Sequence, residues 1–191
     1  MTSAERRARS VTVSVYVGIS VDGFLARDDG AVDFLDAGTA GAATDMGFDA
    51  FMASVDVLVM GRNTFDAIVD SGGDWPYGET PVMVLTNRRL VVPKELAGLV
   101  EAGRGDPQRL LDDLADRGLL HVYVDGGHTI RSFLRLGLID ELIITTVPVL
   151  VGSGVSLFGA SSGDVVLQHV STVTFPAGFV QTRYLVSRAR G

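Results

Sequence analysis

Two apolar runs in this chain end on glycine and pass straight into sequence that favours helix. Asp56-Val-Leu-Val-Met60 meets Gly61, and helix-compatible residues continue to about Asp70. Leu120-His-Val-Tyr-Val124 runs through Asp125 into Gly126-Gly127, followed by a short helix from Thr129 to Leu136. Short β-branched runs bounded by such breakers read as buried strands. A strand that turns at once into a helix has no hairpin partner next to it, so its neighbour in the sheet is reached by a crossover and lies parallel.

The other segments extend this pattern. Val11-Thr-Val-Ser-Val-Tyr-Val alternates and is β-branched, Ser20-Val-Asp-Gly23 is a turn, and Phe24-Leu25-Ala26 returns as a short strand. Residues 44–54 carry Met46, Phe48, Phe51 and Met52 at helical spacing, an apolar stripe that ordinarily packs on a core. Ser71 to Gly78 is a loop, Pro81 to Leu85 a strand, and residues 107–117 a helix bearing Leu110, Leu111 and Leu114. From Leu142 onward the helices stop. Ile143 to Val147, residues 164–174 and Phe179 to Val186 are strand-like runs with no convincing helix between them. The expectation is an α/β chain with one central, mostly parallel sheet, antiparallel C-terminal strands and flanking helices. It forms a single domain over residues 11–191, behind a polar tail, residues 1–10, that lacks a hydrophobic signal-peptide stretch.

Composition narrows the function. With 47% apolar and 20% charged residues the chain is globular. A formal net charge of −7 argues against nucleic acid or an anionic membrane as partner. The chain has no cysteine, which excludes disulfides and thiolate chemistry, and its three histidines show no ligand spacing, so no metal is expected. No apolar run reaches the roughly eighteen residues of a membrane span, and a cytoplasmic enzyme is the expectation.

Three segments carry the chemistry. Gly61-Arg62-Asn63-Thr64 opens a helix at a strand's carboxyl end, where unpaired N–H groups and the helix dipole favour an anion. Asp125-Gly-Gly-His-Thr129 does the same with two glycines that admit a close backbone or pyrophosphate approach. Thr86-Asn-Arg-Arg89 places polar donors and cations after a third strand. The spacing is not G-x-G-x-x-G, so the Rossmann geometry is not expected. An open sheet gathers ligands at its strands' carboxyl ends, and one phosphorylated cofactor accounts for all three segments.

Taken in order, these motifs resemble the RibD C-terminal family, similar in fold to dihydrofolate reductase. The resemblance is carried by Gly18-Ile-Ser-Val-Asp-Gly-Phe-Leu-Ala26, Asp56 to Phe65, Leu85-Thr-Asn-Arg88, Val124-Asp-Gly-Gly-His-Thr129 and Val147-Pro-Val-Leu-Val-Gly-Ser-Gly154. It implies a dihydrofolate reductase-like domain and an NADPH-dependent reductase acting on a C=N or C=O bond of a small heterocycle. The type reaction is that of 5-amino-6-(5-phosphoribosylamino)uracil reductase in riboflavin biosynthesis. A dihydrofolate (pterin) reductase and a catalytically silent NADPH-binding protein are the alternatives. By this resemblance Gly61, Arg62, Asn63 and Thr64 hold the cofactor's phosphates, and Thr86, Asn87 and Arg88 flank the adenosine 2′-phosphate. Gly126 and Gly127, followed by His128 and Thr129, receive the pyrophosphate and nicotinamide ribose, with a cis peptide between the glycines. Gly18 and Leu25 flank the nicotinamide carboxamide, and Gly152 to Gly154 close the pocket.

Two further expectations concern catalysis and assembly. In dihydrofolate reductases, which the chain resembles, a carboxylate on the helix before the phosphate-loop strand faces the substrate ring; by that resemblance Asp45 is the first candidate for a proton donor at the reduced bond and Asp49, one turn on, the second. Asp45 also stands where a helix start favours an acid. Family relatives pair through the C-terminal strands, and Gly178-Phe-Val-Gln-Thr-Arg-Tyr-Leu-Val186 would leave a long edge or face, so a homodimer is expected.

Overall fold

In a computed structural model, which describes residues 11–36, 45–159 and 163–187, the strand β1 (Thr12–Ser20) is the axis of an eight-stranded sheet. The sheet runs β5-β4-β3-β6-β1-β7-β10-β9, with β3 (Val57–Gly61), β4 (Val82–Leu85), β5 (Val100–Gly103), β6 (His121–Asp125), β7 (Glu141–Val147), β9 (Leu167–Thr174) and β10 (Val180–Val186). Every pairing from β5 to β7 is parallel, and β10 and β9 add on antiparallel. This is the expected α/β arrangement. The tail, residues 1–10, lies outside the described residues.

Side-chain alternation along the strands splits the core into two layers. Val13, Val15 and Val17 of β1, with Val122 and Val124 of β6, face α3 (Pro107–Asp116) and α4 (Gly127–Arg135), meeting Leu111, Leu114, Ile130 and Phe133. Leu58 and Met60 of β3 and Tyr123 of β6 face the other way, towards α1 (Phe48–Met52) and α2 (Arg62–Asp70), meeting Phe51 and Phe65.

Three elements differ from expectation. β5 was not expected, because Val100-Glu-Ala-Gly carries one large apolar residue and only its ends are buried. Its edge position needs no more. The helix expected over 44–54 is confined to Phe48–Met52, since Met46 (φ 54°) and Gly47 (φ 91°) hold left-handed backbone that a helix cannot pass through; Thr44 lies outside the described residues. The short strand Phe24–Ala26, β2, does not join the main sheet but pairs with β8 (Val155–Ser156) as a two-stranded arm.

Asp22 fastens the base of that arm. Its Oδ1 accepts from Ser20 Oγ at 2.6 Å and Val151 N at 3.1 Å, and its Oδ2 from Gly152 N at 2.7 Å. Ser20 Oγ in turn accepts from Phe24 N at 3.0 Å. These donors, the Ser20 hydroxyl first, pull the Asp22 pKa from 3.8 down to about 2. Because the folded value lies below the unfolded one, the clasp is fully present above about pH 4 and is lost as pH falls towards 2. An NMR titration of the Asp22 carboxyl carbon is expected to show a midpoint near 2. A midpoint at the ordinary aspartate value would mean that the clasp does not hold in solution.

Candidate functional site

The carboxyl ends of β3, β4, β5, β6 and β1 open into one cleft of about 1600 Å³. A single small-molecule pocket measures roughly 300–1,000 Å³, so this cleft has room for a dinucleotide and a second molecule. A smaller concavity of about 340 Å³ against α4, lined by Leu134, Leu142, Phe158 and Val165, holds none of the three expected loops.

Two strand-to-helix turns form the floor. Because β3 and β6 are parallel neighbours, the turn at Gly61 and the turn at Gly126 lie side by side. Each presses a threonine on the other's glycine: a Cβ on Gly126 would collide with Thr64 Oγ1, and one on Gly61 would stand 3.0 Å from Thr129 Oγ1. Gly126 also sits at φ 88°, which side-chain-bearing residues rarely adopt. A Cβ on Gly127 would meet Leu25 Cδ1 of the arm at 3.1 Å, so the arm lies directly over this turn.

Neither helix that starts here is capped. α2 and α4 begin at Gly61 and Gly126 with no side-chain hydrogen bond to their first N–H groups and no acid in the first turn. α3 is different: Asp106 accepts from the N–H groups of Gln108 and Arg109. The two helices that face the cleft therefore keep their donors available for an anion, while α3 satisfies its own.

The residues expected to hold a cofactor all line this cleft. Gly61, Arg62, Asn63 and Thr64 come from the β3 turn, and Thr86, Asn87 and Arg88 from the β4 end. Gly126, Gly127, His128 and Thr129 come from the β6 turn, and Gly18 and Leu25 from β1 and the arm. Arg62 is already engaged. Its Nε reaches Asp66 at 2.6 and 2.7 Å and its Nη1 donates to Arg89 O at 3.0 Å, so it straps the 86–89 loop to α2. Arg88 and Arg104, both exposed and both lining the cleft, make no side-chain ion pair among the described residues. Arg104 follows the unexpected strand β5 and was not singled out in the sequence. All peptide bonds of the described residues are trans, so the cis bond implied between Gly126 and Gly127 is not present.

Asp45 and Asp49 are not brought to the cleft. Both are exposed at the start of α1, and Asp45 Oδ1 accepts from Asp49 N at 3.3 Å. The dry surroundings that a proton-donating role requires are absent there, and Asp45 makes the helix-start contact instead.

The carboxylate on the cleft floor is Asp125. Its Oδ1 accepts from Gly126 N at 2.7 Å and its Oδ2 from Tyr77 Oη at 3.1 Å. Burial raises its pKa above the ordinary aspartate value, against the two hydrogen bonds that lower it. The phenols of Tyr77 and Tyr123 are pushed well above 10, by burial first and by the Asp125 charge second. A sequence signal for Asp125 did exist: an acid closing an otherwise apolar strand immediately before two glycines. Trp75 packs edge-on to Tyr77 at 5.2 Å and backs this wall without lining the cleft. Among the described residues no cluster of potential metal ligands occurs, and no helix is long and apolar enough to cross a membrane.

Known proteins share this architecture. Residues 11–181 match the RibD C-terminal domain family. The chain is 28% identical to the uncharacterized Bacillus subtilis protein YwjB over 173 residues, 90% of this chain and 95% of that one. A solved Shewanella protein provisionally assigned to riboflavin biosynthesis superposes with a TM-score of 0.87 at 36% identity, over 93% of this chain and all of that one. A dihydrofolate reductase from Enterococcus faecalis, solved with NADP(H), superposes with a TM-score of 0.62 over 94% of this chain and 98% of its own. At 15% identity that likeness speaks to the fold alone, and the fold is dihydrofolate reductase-like. With residues 11–181 matched by the family and nearly the whole length shared with these relatives, the chain belongs to the RibD C-terminal domain family.

Proposed function

We propose that this chain is an NADPH-dependent reductase that transfers hydride to a C=N or C=O bond of a small heterocycle. The observation that carries the reading is the cleft floor, where two uncapped helix starts and two side-chain-free turns meet. That surface suits a pyrophosphate: the N–H groups of Arg62, Asn63, Gly127 and His128 supply donors, and the missing Cβ atoms let the two turns lie close enough to present them together. Arg88 and Arg104, with the Thr86 and Asn87 side chains, suit an additional phosphate on the adenosine end. Gly18 and Leu25, at the arm, border the space beyond. NADPH, when bound, supplies the hydride. The chain's own residues orient the two reactants and keep water from them.

We further propose that the chain works as a homodimer. β9 ends the sheet and is exposed at all eight positions, with Val170 and Val173 open to water, and Leu185 of β10 is exposed as well. An uncovered apolar edge of this length invites a strand partner.

Three outcomes are expected. Calorimetric titration should give tighter binding of NADPH than of NADH, by about ten- to hundredfold if charge-assisted bonds of roughly 1.5–3 kcal/mol form to the extra phosphate. Arg88→Ala should shrink that gap, and equal affinities in the wild type would defeat the cofactor assignment. Gly126→Ala should weaken NADPH by about tenfold or more, since left-handed backbone costs roughly 1–2 kcal/mol with a side chain and Thr64 stands in the way. Unchanged affinity would show that the floor does not touch the cofactor. Light scattering should give twice the chain mass of 20.2 kDa; a monomer at micromolar concentration ends the dimer proposal.

A further inference from the structure

Three parts of the molecule meet at the space beside Gly127. A Cβ there would stand 2.9 Å from Arg131 Nη1, 2.9 Å from Val155 Cγ1 and 3.1 Å from Leu25 Cδ1. Gly127 belongs to the cleft floor, Leu25 and Val155 to the two strands of the arm, and Arg131 to the next turn of α4. Side chains on a helix lean back towards its start, so the Arg131 side chain runs towards Gly127. The missing side chain of Gly127 is what lets a guanidinium reach the seam between floor and arm.

Arg131 has two further contacts at this seam. Its Nη1 donates to the carbonyl oxygen of Ser156, which stands opposite Phe24 in the arm. Its stem lies against Gly159, where a Cβ would stand 2.7 Å from Arg131 Cδ. A cation that lines a cleft one turn beyond an uncapped helix start is ordinarily a phosphate ligand. Here the guanidinium is turned to the arm's backbone instead, and two glycines leave the room that its conformation occupies. Arg88 and Arg104 are fully exposed, whereas Arg131 is only partly so.

Resting on the reductase reading, which gives the space beyond Gly18 and Leu25 to the nicotinamide, we infer that Arg131 is a positioning residue. It seats the arm on the α4 turn and so fixes the wall beside the nicotinamide end of the cofactor, without itself holding a phosphate. Through it the helix start that offers N–H groups to the pyrophosphate and the arm that borders the nicotinamide become one assembly. Removing the guanidinium therefore costs affinity only for a ligand that carries the nicotinamide ring.

The test is made on the full chain with Arg131→Met, which keeps the stem and loses the donors, and with Gly159→Ala, which keeps the guanidinium and crowds its stem. Amide hydrogen exchange reads the arm through Leu157 N, bonded to Gly23 O at 3.0 Å, and the floor through Ile130 N, bonded to Gly126 O at 2.9 Å. Both variants should speed exchange at Leu157 about tenfold or more and leave Ile130 within about twofold. Calorimetry with NADPH and with 2′-phospho-ADP-ribose, which lacks the nicotinamide, gives the second measurement. Arg131→Met should weaken NADPH about fivefold or more and 2′-phospho-ADP-ribose less than about twofold. Equal weakening of both ligands would make Arg131 a phosphate ligand and overturn the inference. So would an NADPH affinity that does not fall, unchanged exchange at Leu157, or exchange that rises alike at Leu157 and Ile130, which marks a general loss of stability. If the wild type binds neither ligand, the reductase reading fails instead, and the two amides still decide whether Arg131 holds the arm.

Discussion

The rest of the site depends on one steric constraint, the lateral contact between the turns that follow β3 and β6. Parallel pairing puts the two turns at the same height, and the room between them is set by Thr64 against Gly126 and Thr129 against Gly61. Each threonine takes the volume that a side chain on the opposing glycine would need. The backbones can therefore approach closely enough for two helix starts to direct their unpaired N–H groups at one place. A larger residue at either glycine would separate the turns before it touched any ligand.

From that contact the two sides of the sheet diverge in character. The α3/α4 side receives cations, because Arg104 precedes α3 and Arg131 and Arg135 lie on α4. The α1/α2 side receives phenols and a carboxylate, because alternation along β6 turns Tyr123 and Asp125 that way. The period of two that builds the core is thus also what separates the charges. One residue's slip of β6 would send Asp125 towards α4 and its cations, and both layers of the core would be lost with it.

Sequence patterning made the parallel centre, the antiparallel tail and the ligand-gathering loops legible, since each rests on local signals: β-branched runs, glycine breaks and helix starts. What was not legible depended on tertiary context. β5 has too little apolar content to register alone and is fixed by its ladder to β4, so Arg104 beyond it was missed. Arg62 was legible as a cation at a helix start, but its engagement with Asp66 and Arg89 is visible only in three dimensions. Asp45 and Asp49 had the spacing expected of a site acid, yet the left-handed backbone at Met46 and Gly47 shortens the helix, and both carboxylates lie in water. Asp125 stood in plain view within a glycine motif. Its importance comes from burial and from Tyr77, which lies 48 residues away in sequence.

The arm formed by β2 and β8 rests on the α3/α4 layer, against which Leu25 packs. It shares no ladder with the eight-stranded sheet and is held by the Asp22 clasp, by Arg131 donating to Ser156 O and by Leu25 resting over Gly127. Lifting it breaks none of the sheet's backbone pairing, so its opening costs less than unfolding the sheet. The consequence is a division of labour in time. The floor of the cleft is built into the ladders of the main sheet, whereas its cover hangs on one short strand pair and a few side-chain contacts and can yield before the floor does.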